Sequence, residues 1–420
     1  MPHRNAVLQK RFVILITLAF AACERPASQP EFSTVRDSAG IAIVENHFAS
    51  SGMWRLSETP IIAIEQGLPV EQLPLDPTAV FADANGRIIV GDGNQAGWHA
   101  ILVYDSAGRF VSKIGGRGRG PGEFGGQLWW AGPYRNDSIV AWDRRGPSMK
   151  IFGADGGYAR DVPIPQLGRQ PAPGTYGFST GFHGAFDDGT LLTSSEGILD
   201  VPPQPGPTSF KHLLLAVEPD GAAHDTIAES AMLGQYWDGN SATNLLFAAS
   251  TTVQPYGNDL LMGNSATYEY EIRGRDGRLK RIVRKRYEPV AVTDADVEAI
   301  VQFFLQASVG RSMTEEARAE TRQRVEGYPR APARPAYSSL LVDPAQRVWV
   351  ERFRWLDPWS LPPDPQPTTW DVFSPDGEWL TEIVAPAGVT LLSVSLDRAY
   401  GVRIDEDDVR HVVVYGIIRE

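Results

Sequence analysis

The chain has 420 residues, of which 42% are hydrophobic and 21% charged, and its formal net charge is −12. This composition supports a large folded core and excludes a disordered polar chain. Because an acidic protein repels phosphate backbones, nucleic acid is excluded as an expected partner. The chain contains one cysteine, which excludes an internal disulfide.

Residues 1–22 have the pattern of an export signal. The basic residues Arg4, Lys10 and Arg11 precede an uncharged apolar run over 12–22. This run is too short to span a bilayer, which requires roughly 20 residues. The first part of the chain is therefore predicted to direct export.

The predicted signal ends at the sole cysteine, Cys23, in the sequence Phe-Ala-Ala-Cys. This sequence resembles the lipobox of bacterial lipoproteins, in which the cysteine is acylated and becomes the new N-terminus. The resemblance implies an exported protein, at the periplasmic face or the cell surface, that a lipid on Cys23 attaches to a membrane. Residues 23–33, which are polar and contain proline and serine, are predicted to form the tether. A plain signal peptide followed by a chance cysteine is the alternative.

Two kinds of tight turn alternate along the rest of the chain. One kind joins two apolar runs at 80–90, 134–142, 185–193, 254–262, 341–350 and 395–404. The other kind, with Asp and Gly at its centre, follows at 103–111, 151–159, 216–224, 272–280 and 372–380. Asx side chains accept local backbone hydrogen bonds and Gly allows positive φ, so both kinds predict β-hairpins. The repeating unit is four antiparallel strands, here called a, b, c and d.

Six a–b turns but only five c–d turns predict an all-β, six-bladed β-propeller over 34–420 whose last blade lacks its fourth strand. An unassigned apolar strand at 60–66 directly precedes the first blade. We expect this strand to close the ring by pairing with the C-terminal blade; the alternative is the segment 42–45. A β-sandwich or two smaller β-domains would also contain regularly spaced turns.

Two segments of the first repeat carry a family resemblance. The glycine-rich stretch GGRGRGPGEF (115–124) resembles the segment between blades of NHL-type propellers, and FADANGRIIVGD (81–92) resembles a strand pair of the same repeat. Similar six-bladed lipoproteins share the RDSAG sequence seen at 36–40 and a helical insertion before the fifth blade. The resemblance implies the fold and implies little about activity.

One part of the chain has helical periodicity. Residues 294–308 place apolar side chains, including Val297, Val301 and Phe304, on one side of a helix. A more polar helix is predicted at 314–328. Together they form a helical hairpin insertion (294–328) before blade five, and we expect it to lie where d–a connections emerge.

Strand alternation places every tight turn at one end of the blades and every b–c and d–a connection at the other. We call the second end the long-loop face. Because binding residues concentrate on loops held by a rigid scaffold, this face is the predicted site. Aromatic, basic and acidic side chains are found together in or beside its loops. They are Trp98, His99, Arg117, Arg119, Glu123, Trp129, Trp130, Tyr236, Trp237, Asp238, Trp355, Asp357 and Trp359.

This mixture suits a sugar, peptide or protein ligand through stacking and directed hydrogen bonds. No HExxH or CxxC pattern is present, and His183 is expected to be a buried histidine with satisfied hydrogen bonds. The sequence therefore predicts a binding module with no cofactor. The alternative is a propeller enzyme, a lactonase-like metal-dependent hydrolase or lyase, with a divalent cation such as calcium in the channel.

Overall fold

The tight turns predicted from the sequence shape the whole structure. In the first c–d turn, Asp105 Oδ1 accepts hydrogen bonds from the backbone N–H of Ala107 and Arg109, both at 2.9 Å. Gly108 adopts a φ of +82°, which a residue with a side chain rarely does. All six a–b turns and all five c–d turns join antiparallel strands, so these predictions are confirmed.

The computed structural model describes residues 32–420 except 51, 65–67, 94–98, 144–147, 165–180, 196–197, 200–201, 203, 223, 308–312, 355–365, 406 and 408. Before the first blade lie β1 (Ser33–Ser38), β2 (Ile41–Asn46), β3 (Trp54–Leu56) and β4 (Ile62–Ile64). Blade one contains β5 (Pro77–Ala82), β6 (Ile88–Gly93), β7 (His99–Tyr104) and β8 (Phe110–Ile114). Blade two contains β9 (Leu128–Pro133), β10 (Ile139–Asp143), β11 (Ser148–Phe152) and β12 (Tyr158–Pro163). β1 begins at the last residue of the predicted tether.

Blade three contains β13 (Gly181–Ala185), β14 (Leu191–Ser194), β15 (Ile198–Leu199), β16 (Gly206–Val217), β17 (His224–Trp237) and β18 (Ala242–Asn244). Blade four contains β19 (Thr251–Tyr256), β20 (Asp259–Asn264), β21 (Glu269–Arg273) and β22 (Leu279–Lys285). The helices α1 (Asp294–Ala307) and α2 (Glu315–Glu326) follow. Blade five contains β23 (Tyr337–Val342), β24 (Val348–Arg352), β25 (Thr368–Phe373) and β26 (Trp379–Ala385). Blade six contains β27 (Val389–Val394), β28 (Arg398–Ile404) and β29 (Arg410–Arg419).

The described residues form six sheets arranged as a ring, which confirms the six-bladed propeller. The inner strands of neighbouring blades contact one another all the way round, from β5 through β9, β13, β19, β23 and β27 back to β5. A hydrophobic cluster fills each interface between adjacent blades. The core is therefore divided into six wedges, and burial of apolar side chains between blades stabilises the ring.

Blade six obtains its outer strands from the other end of the chain. β29 pairs with β28 on one side; on the other, Val412–Val414 pair with β4 and Ile417–Arg419 pair with β3. β4 lies within the segment 60–66 that the sequence assigns to closure. The alternative segment, 42–45, belongs to β2, which pairs in parallel with β22 of blade four.

The hairpin of β1 and β2 thus extends blade four to six strands. Asn46 at its end links two blades: its Nδ2 donates to the carbonyl of Gly377 at 2.9 Å, and its Oδ1 accepts from the N–H of Trp379 at 2.7 Å. The RDSAG sequence forms the turn of this hairpin, with Ala39 and Gly40 at positive φ.

Blade three differs from the others because its c and d strands, β16 and β17, have 12 and 14 residues and are the longest strands among the described residues. The order of the turns in the sequence predicts long loops at 195–211 and 229–250, on the long-loop face. That assignment is wrong for the parts that continue β16 and β17 and for β18. Beyond the other strands of the blade, β16 pairs with β15 and β17 pairs with β18. These pairings supply backbone hydrogen bonds to the extended part of the hairpin and so stabilise it.

The predicted helices are present within their predicted ranges. Asp296 caps α1 by accepting from the N–H and the hydroxyl of Thr293, at 2.7 and 2.8 Å. Val301 and Leu305 pack against Val325 of α2. Phe304 was predicted to share this apolar side but is 42% exposed, because α2 covers only part of α1. Among the described residues, neither helix has the length and apolar character needed to cross a membrane.

Candidate functional site

The long-loop face is where the six blades differ most. The far end of the β16–β17 hairpin lies on it, and so do the two helices. Leu246, in the d–a connection after blade three, packs against the helices and exchanges backbone hydrogen bonds with Pro329 and Ala331 at 2.8 and 2.9 Å. Phe247 beside it contacts Phe353 of blade five, with ring centroids 6.2 Å apart. Connections from three consecutive blades therefore meet on this face.

The inner strands carry a repeated irregularity. In five of the six blades, the a strand has one extra residue relative to the b strand it pairs with, and the register shifts at that residue. In blade four the pairing of the a and b strands is regular. The extra residues are Thr78, Trp129, His183, Ser338 and Leu392. Such β-bulges re-aim side chains and are over-represented beside binding sites. Two of these residues, Trp129 and His183, lie on neighbouring strands.

Trp129 lies at the bulge of β9, next to a tryptophan that is packed between blades. Trp130, the next residue, stacks edge-on against Phe182 of blade three, with ring centroids 4.4 Å apart. Trp130 is therefore part of the core between blades two and three. Because the bulge turns the two indoles differently, Trp129 remains 45% exposed.

His183 does not have the satisfied hydrogen bonds that the sequence analysis expected. Its Nε2 is shielded from solvent and has no hydrogen-bond partner among the described residues. Burial, reinforced by the nearby His212, lowers the pKa of His183 to about 4. Burial also lowers the pKa of His212, whose Nδ1 lies 2.8 Å from the carbonyl oxygen of Ser195. At neutral pH this part of the site therefore presents neutral imidazoles.

The arginine-containing loop between blades one and two has a fixed shape. Phe124 is fully buried, and Glu123 Oε2 accepts from the N–H of Gly120 at 2.8 Å. Glu123 thus holds the loop closed. Arg117 and Arg119 are exposed on it, and their guanidinium groups can reach a ligand.

His99 begins the c strand of blade one beside this loop. Burial lowers its pKa; the charge of Asp143 opposes this effect and that of Arg117 adds to it. Asp143 in turn accepts from the N–H of Gly126 at 2.7 Å, which ties the loop to blade two. His99 and Arg117 are therefore electrostatic neighbours in the corner between blades one and two.

Tyr236, Trp237 and Asp238 form a second group at the end of the blade three hairpin. Asp238 accepts from the N–H groups of Asn240 and Ser241, both at 2.7 Å, and these bonds lower the pKa of its carboxyl group. Asp238 therefore shapes the turn into β18. Tyr236 and Trp237 are partly exposed.

The remaining predicted site residues, Cys23, Trp98, Trp355, Asp357 and Trp359, lie outside the described residues. Within the described part of the chain, no group of three or more His, Cys, Asp or Glu side chains is arranged to hold a metal ion. The bulge at His183 could not be found from the sequence, because a bulge depends on the register between two strands.

One catalytic sequence pattern also escaped the sequence analysis. The stretch GFSTG at 177–181 matches Gly-x-Ser-x-Gly, the pattern of a nucleophile elbow. An elbow places its serine on a turn from a strand to a helix. Here the pattern ends at Gly181, where the strand β13 begins, and Ser179 lies outside the described residues.

Comparison with known families agrees with the architecture. A family described as a six-bladed β-propeller, DUF5128, matches residues 78–127, which comprise most of blade one and the arginine-containing loop. No curated protein matches the chain. The finer resemblance to NHL-type propellers stays a prediction.

Two solved structures from Bacteroides are similar. A member of the DUF4221 family from Bacteroides vulgatus is 10% identical and has a TM-score of 0.51; the match covers 88% of this chain and all of that one. A candidate exported protein from Bacteroides fragilis is 11% identical, with a TM-score of 0.47, and the match covers 90% of this chain and 99% of that one. At 10% identity, the likeness to the DUF4221 protein shows the fold alone.

Proposed function

We propose that this protein is a membrane-anchored, extracytoplasmic binding module that holds a sugar or peptide ligand on its long-loop face. The observation that carries the proposal is Trp129, an exposed indole at a bulge of an inner strand, supported by the buried pair of Trp130 and Phe182. A large aromatic ring on a rigid support binds a ligand at little cost in conformational entropy.

The side chains predicted to lie around Trp129 suit a ligand that carries acidic groups or uncharged polar groups. Arg117 and Arg119 on the adjoining loop supply directed donors, and guanidinium groups bind carboxylates in a bidentate way. The neutral His183 adds no charge. Stacking on Trp129 together with hydrogen bonds from the arginines is the arrangement expected for a sugar ring or an extended peptide.

We expect Trp129→Ala to weaken ligand binding by about tenfold or more, because a central aromatic anchor contributes about 2 kcal/mol or more and about 1.4 kcal/mol is tenfold in affinity. The purified domain would be screened on an array of oligosaccharides and short peptides, and the affinity of the strongest hit measured by calorimetry. Leu396→Ala is the matched control, since Leu396 is a large exposed apolar residue at an a–b turn on the opposite face.

Equal losses for the two variants, or an unchanged affinity of Trp129→Ala, would contradict this site. Metal analysis of the same preparation tests the enzyme alternative. Stoichiometric calcium or zinc would favour the metal-dependent hydrolase or lyase.

We also expect Cys23→Ser to move the protein from the membrane fraction to the soluble extracytoplasmic fraction. The serine hydroxyl cannot form the thioether to the lipid, so the variant lacks the acyl chains proposed to hold the protein at the membrane. Immunoblots of fractionated cells would measure the distribution. A Cys23→Ser variant that stays with the membrane would show that attachment depends on something other than this cysteine.

A further inference from the structure

Exposed apolar side chains gather on the rim of the propeller at the point where the predicted tether joins it. Phe32, Phe48 and Met53 are 44%, 56% and 69% exposed. The carbonyl oxygen of Phe32 accepts hydrogen bonds from the N–H groups of His47 and Phe48, at 2.9 and 3.2 Å, so the two phenylalanines are neighbours. We call Phe32, Phe48 and Met53 the rim patch. Single exposed apolar residues are common, whereas a cluster of them marks a contact surface.

The backbone that carries the rim patch is fixed to the outer parts of blades five and six. The N–H of Ser50 donates to the carbonyl of Trp379, at the start of β26, at 2.9 Å. The N–H of Glu420, directly after β29, donates to the carbonyl of Met53 at 3.1 Å. These bonds hold the rim patch at the surface, so its apolar side chains can be buried further only by a partner outside the propeller.

The length of the tether sets how far the rim patch can lie from the predicted lipid. Phe32 follows Cys23 by nine residues. A chain of that length spans at most about 30 Å when it is fully extended. An acylated Cys23 would therefore hold Phe32, and the patch around it, beside the bilayer.

Charge also favours contact at this part of the surface. The chain has a net charge of −12, so an anionic bilayer repels most of its surface. Beside the rim patch, the N–H of Arg286 donates to the carbonyl of Asn46 at 3.2 Å, and the Arg286 side chain is 80% exposed. Its ion pair with the exposed Glu288 spans 3.8 Å and is weak. The guanidinium group can therefore turn towards a lipid phosphate.

We propose that the rim patch inserts into the headgroup region of the bilayer that holds the lipid anchor and so fixes the orientation of the propeller on the membrane. The proposal rests on the membrane attachment proposed above and adds a second contact to it. Apolar side chains beside a basic residue are the composition expected of a surface that lies in the bilayer interface. The residues of the long-loop face are not part of the rim patch, so the proposed ligand site stays accessible.

A fluorescent label on the rim patch tests the proposal. Because the one cysteine of the chain is the predicted acylation site, an introduced cysteine would be the only free thiol. Lipidated protein with Phe48→Cys or Val111→Cys would be labelled with a polarity-sensitive dye and reconstituted into vesicles of phosphatidylethanolamine and phosphatidylglycerol that contain brominated lipid. Val111 is the matched control, since it is 52% exposed and lies on β8 of blade one, opposite blade four in the ring.

We expect bromine to quench the dye at position 48 at least about three times as strongly as at position 111, because interfacial groups lie about 5–10 Å into the boundary between headgroups and acyl chains. The emission at position 48 should also shift to a shorter wavelength.

Replacing the two aromatic rings tests whether they make the contact. With the dye at Met53→Cys, the added pair Phe32→Ser and Phe48→Ser should lower quenching at least about twofold. The protein should still float with the vesicles, because its acyl chains remain. Substitutions of exposed side chains change stability little, so the labelled proteins should unfold at similar temperatures.

The outcomes separate this proposal from the lipid anchor. Equal quenching at positions 48 and 111, in protein that floats with the vesicles, would overturn the proposal and leave the anchor standing, as would unchanged quenching in the variant with both serines. Protein that does not float with the vesicles would overturn the anchor and this proposal together. A short-wavelength emission at position 48 without quenching by brominated lipid would show that a second copy of the chain covers the rim patch instead.

Discussion

A chain that ends before residue 409 is expected to lose cooperative folding altogether. Removing 409–420 deletes β29, the only strand that joins β28 to the N-terminal strands β3 and β4 among the described residues. The ring would then be open between blades six and one. Without β29, β3 and β4 have no sheet to pair with, and β28 becomes an unprotected edge.

The packing loss is as severe as the loss of pairing. Val412, Val413 and Val414 are fully buried, at 0% exposure. They face alternate sides of the sheet: Val412 and Val414 belong to the cluster shared with blade one, and Val413 to the cluster shared with blade five. Full burial of such side chains contributes about 1.5–3 kcal/mol each. Two of the six core wedges are opened at once, against a typical domain stability of about 5–15 kcal/mol.

Urea and thermal unfolding of the soluble domain, followed by tryptophan fluorescence, would measure the effect. The matched control is a chain that begins at Ile41 and so lacks β1, an edge strand whose residues from Val35 to Ser38 are exposed. We expect this control to lose about 1–2 kcal/mol and to unfold cooperatively. A 409–420 deletion that melts at the temperature of the control would show that the ring does not need its C-terminal closure.

Asp371→Ala is expected to destabilise the fold by about 3–5 kcal/mol, because it leaves the largely buried ammonium group of Lys285 without its carboxylate. Asp371 on β25 is 0% exposed. Its Oδ2 accepts from Lys285 Nζ at 2.8 Å and from Arg352 Nε at 3.1 Å, and its Oδ1 accepts from the same guanidinium at 2.9 Å. The hydroxyl of Tyr268 also donates to it.

This network joins two blades and is enclosed by aromatic rings. Lys285 comes from β22 of blade four, and its ammonium group lies 3.7 Å from the ring centroid of Trp379. Without Asp371, Lys285 would lose this ion pair and keep the cation–π contacts with Trp379 and Tyr268. Chemical denaturation of Asp371→Ala and Asp376→Ala provides the measurement and its control. Asp376 is 94% exposed and pairs weakly with Arg281 at 3.6 Å, so we expect less than about 0.5 kcal/mol there. Similar losses at the two positions would mean that the network adds no stability.

The contribution of Asp371 should also depend on pH. Burial raises the pKa of its carboxyl group. Hydrogen bonds from Arg352 and the charge of Lys285 lower this pKa by more than burial raises it, so the pKa lies below the ordinary value. Because the unfolded carboxyl titrates near about pH 3.9, the stabilisation is fully present above that pH and is lost as the pH falls through the lower pKa of the folded state. The difference in unfolding free energy between wild type and Asp371→Asn should therefore narrow below about pH 4.

The sequence predicts well those parts of the fold that depend only on residues close to one another in the chain. A turn such as 103–111 needs only an Asx side chain, a glycine and flanking apolar residues, and all of these lie within one short segment. The number and order of these turns then lead to six blades and an incomplete last blade. The helices at 294–307 and 315–326 are recognisable for the same reason, since their apolar spacing and caps are local.

The candidate site was only partly accessible from the sequence. Strand alternation correctly distinguishes the face that carries the tight turns from the long-loop face. The roles of individual residues differ within it: Glu123 and Asp238 shape their own loops, and Trp130 packs between blades. Trp129 differs from its neighbour Trp130 only through the bulge on β9.

The blade count, the strand order within each blade and the face that carries the long connections all follow from local patterns along the chain. The parallel pairing of β2 with blade four, the extension of β16 and β17 beyond their blade, and the positions of the bulges in the inner strands are visible only in the fold. The same holds for the charged side chains that meet across an interface between blades, as Lys285 and Asp371 do. The physical reason is range: turns and helices depend on neighbours within a few residues, whereas register, parallel pairing and buried ion pairs depend on residues that are distant in the chain and meet only after folding.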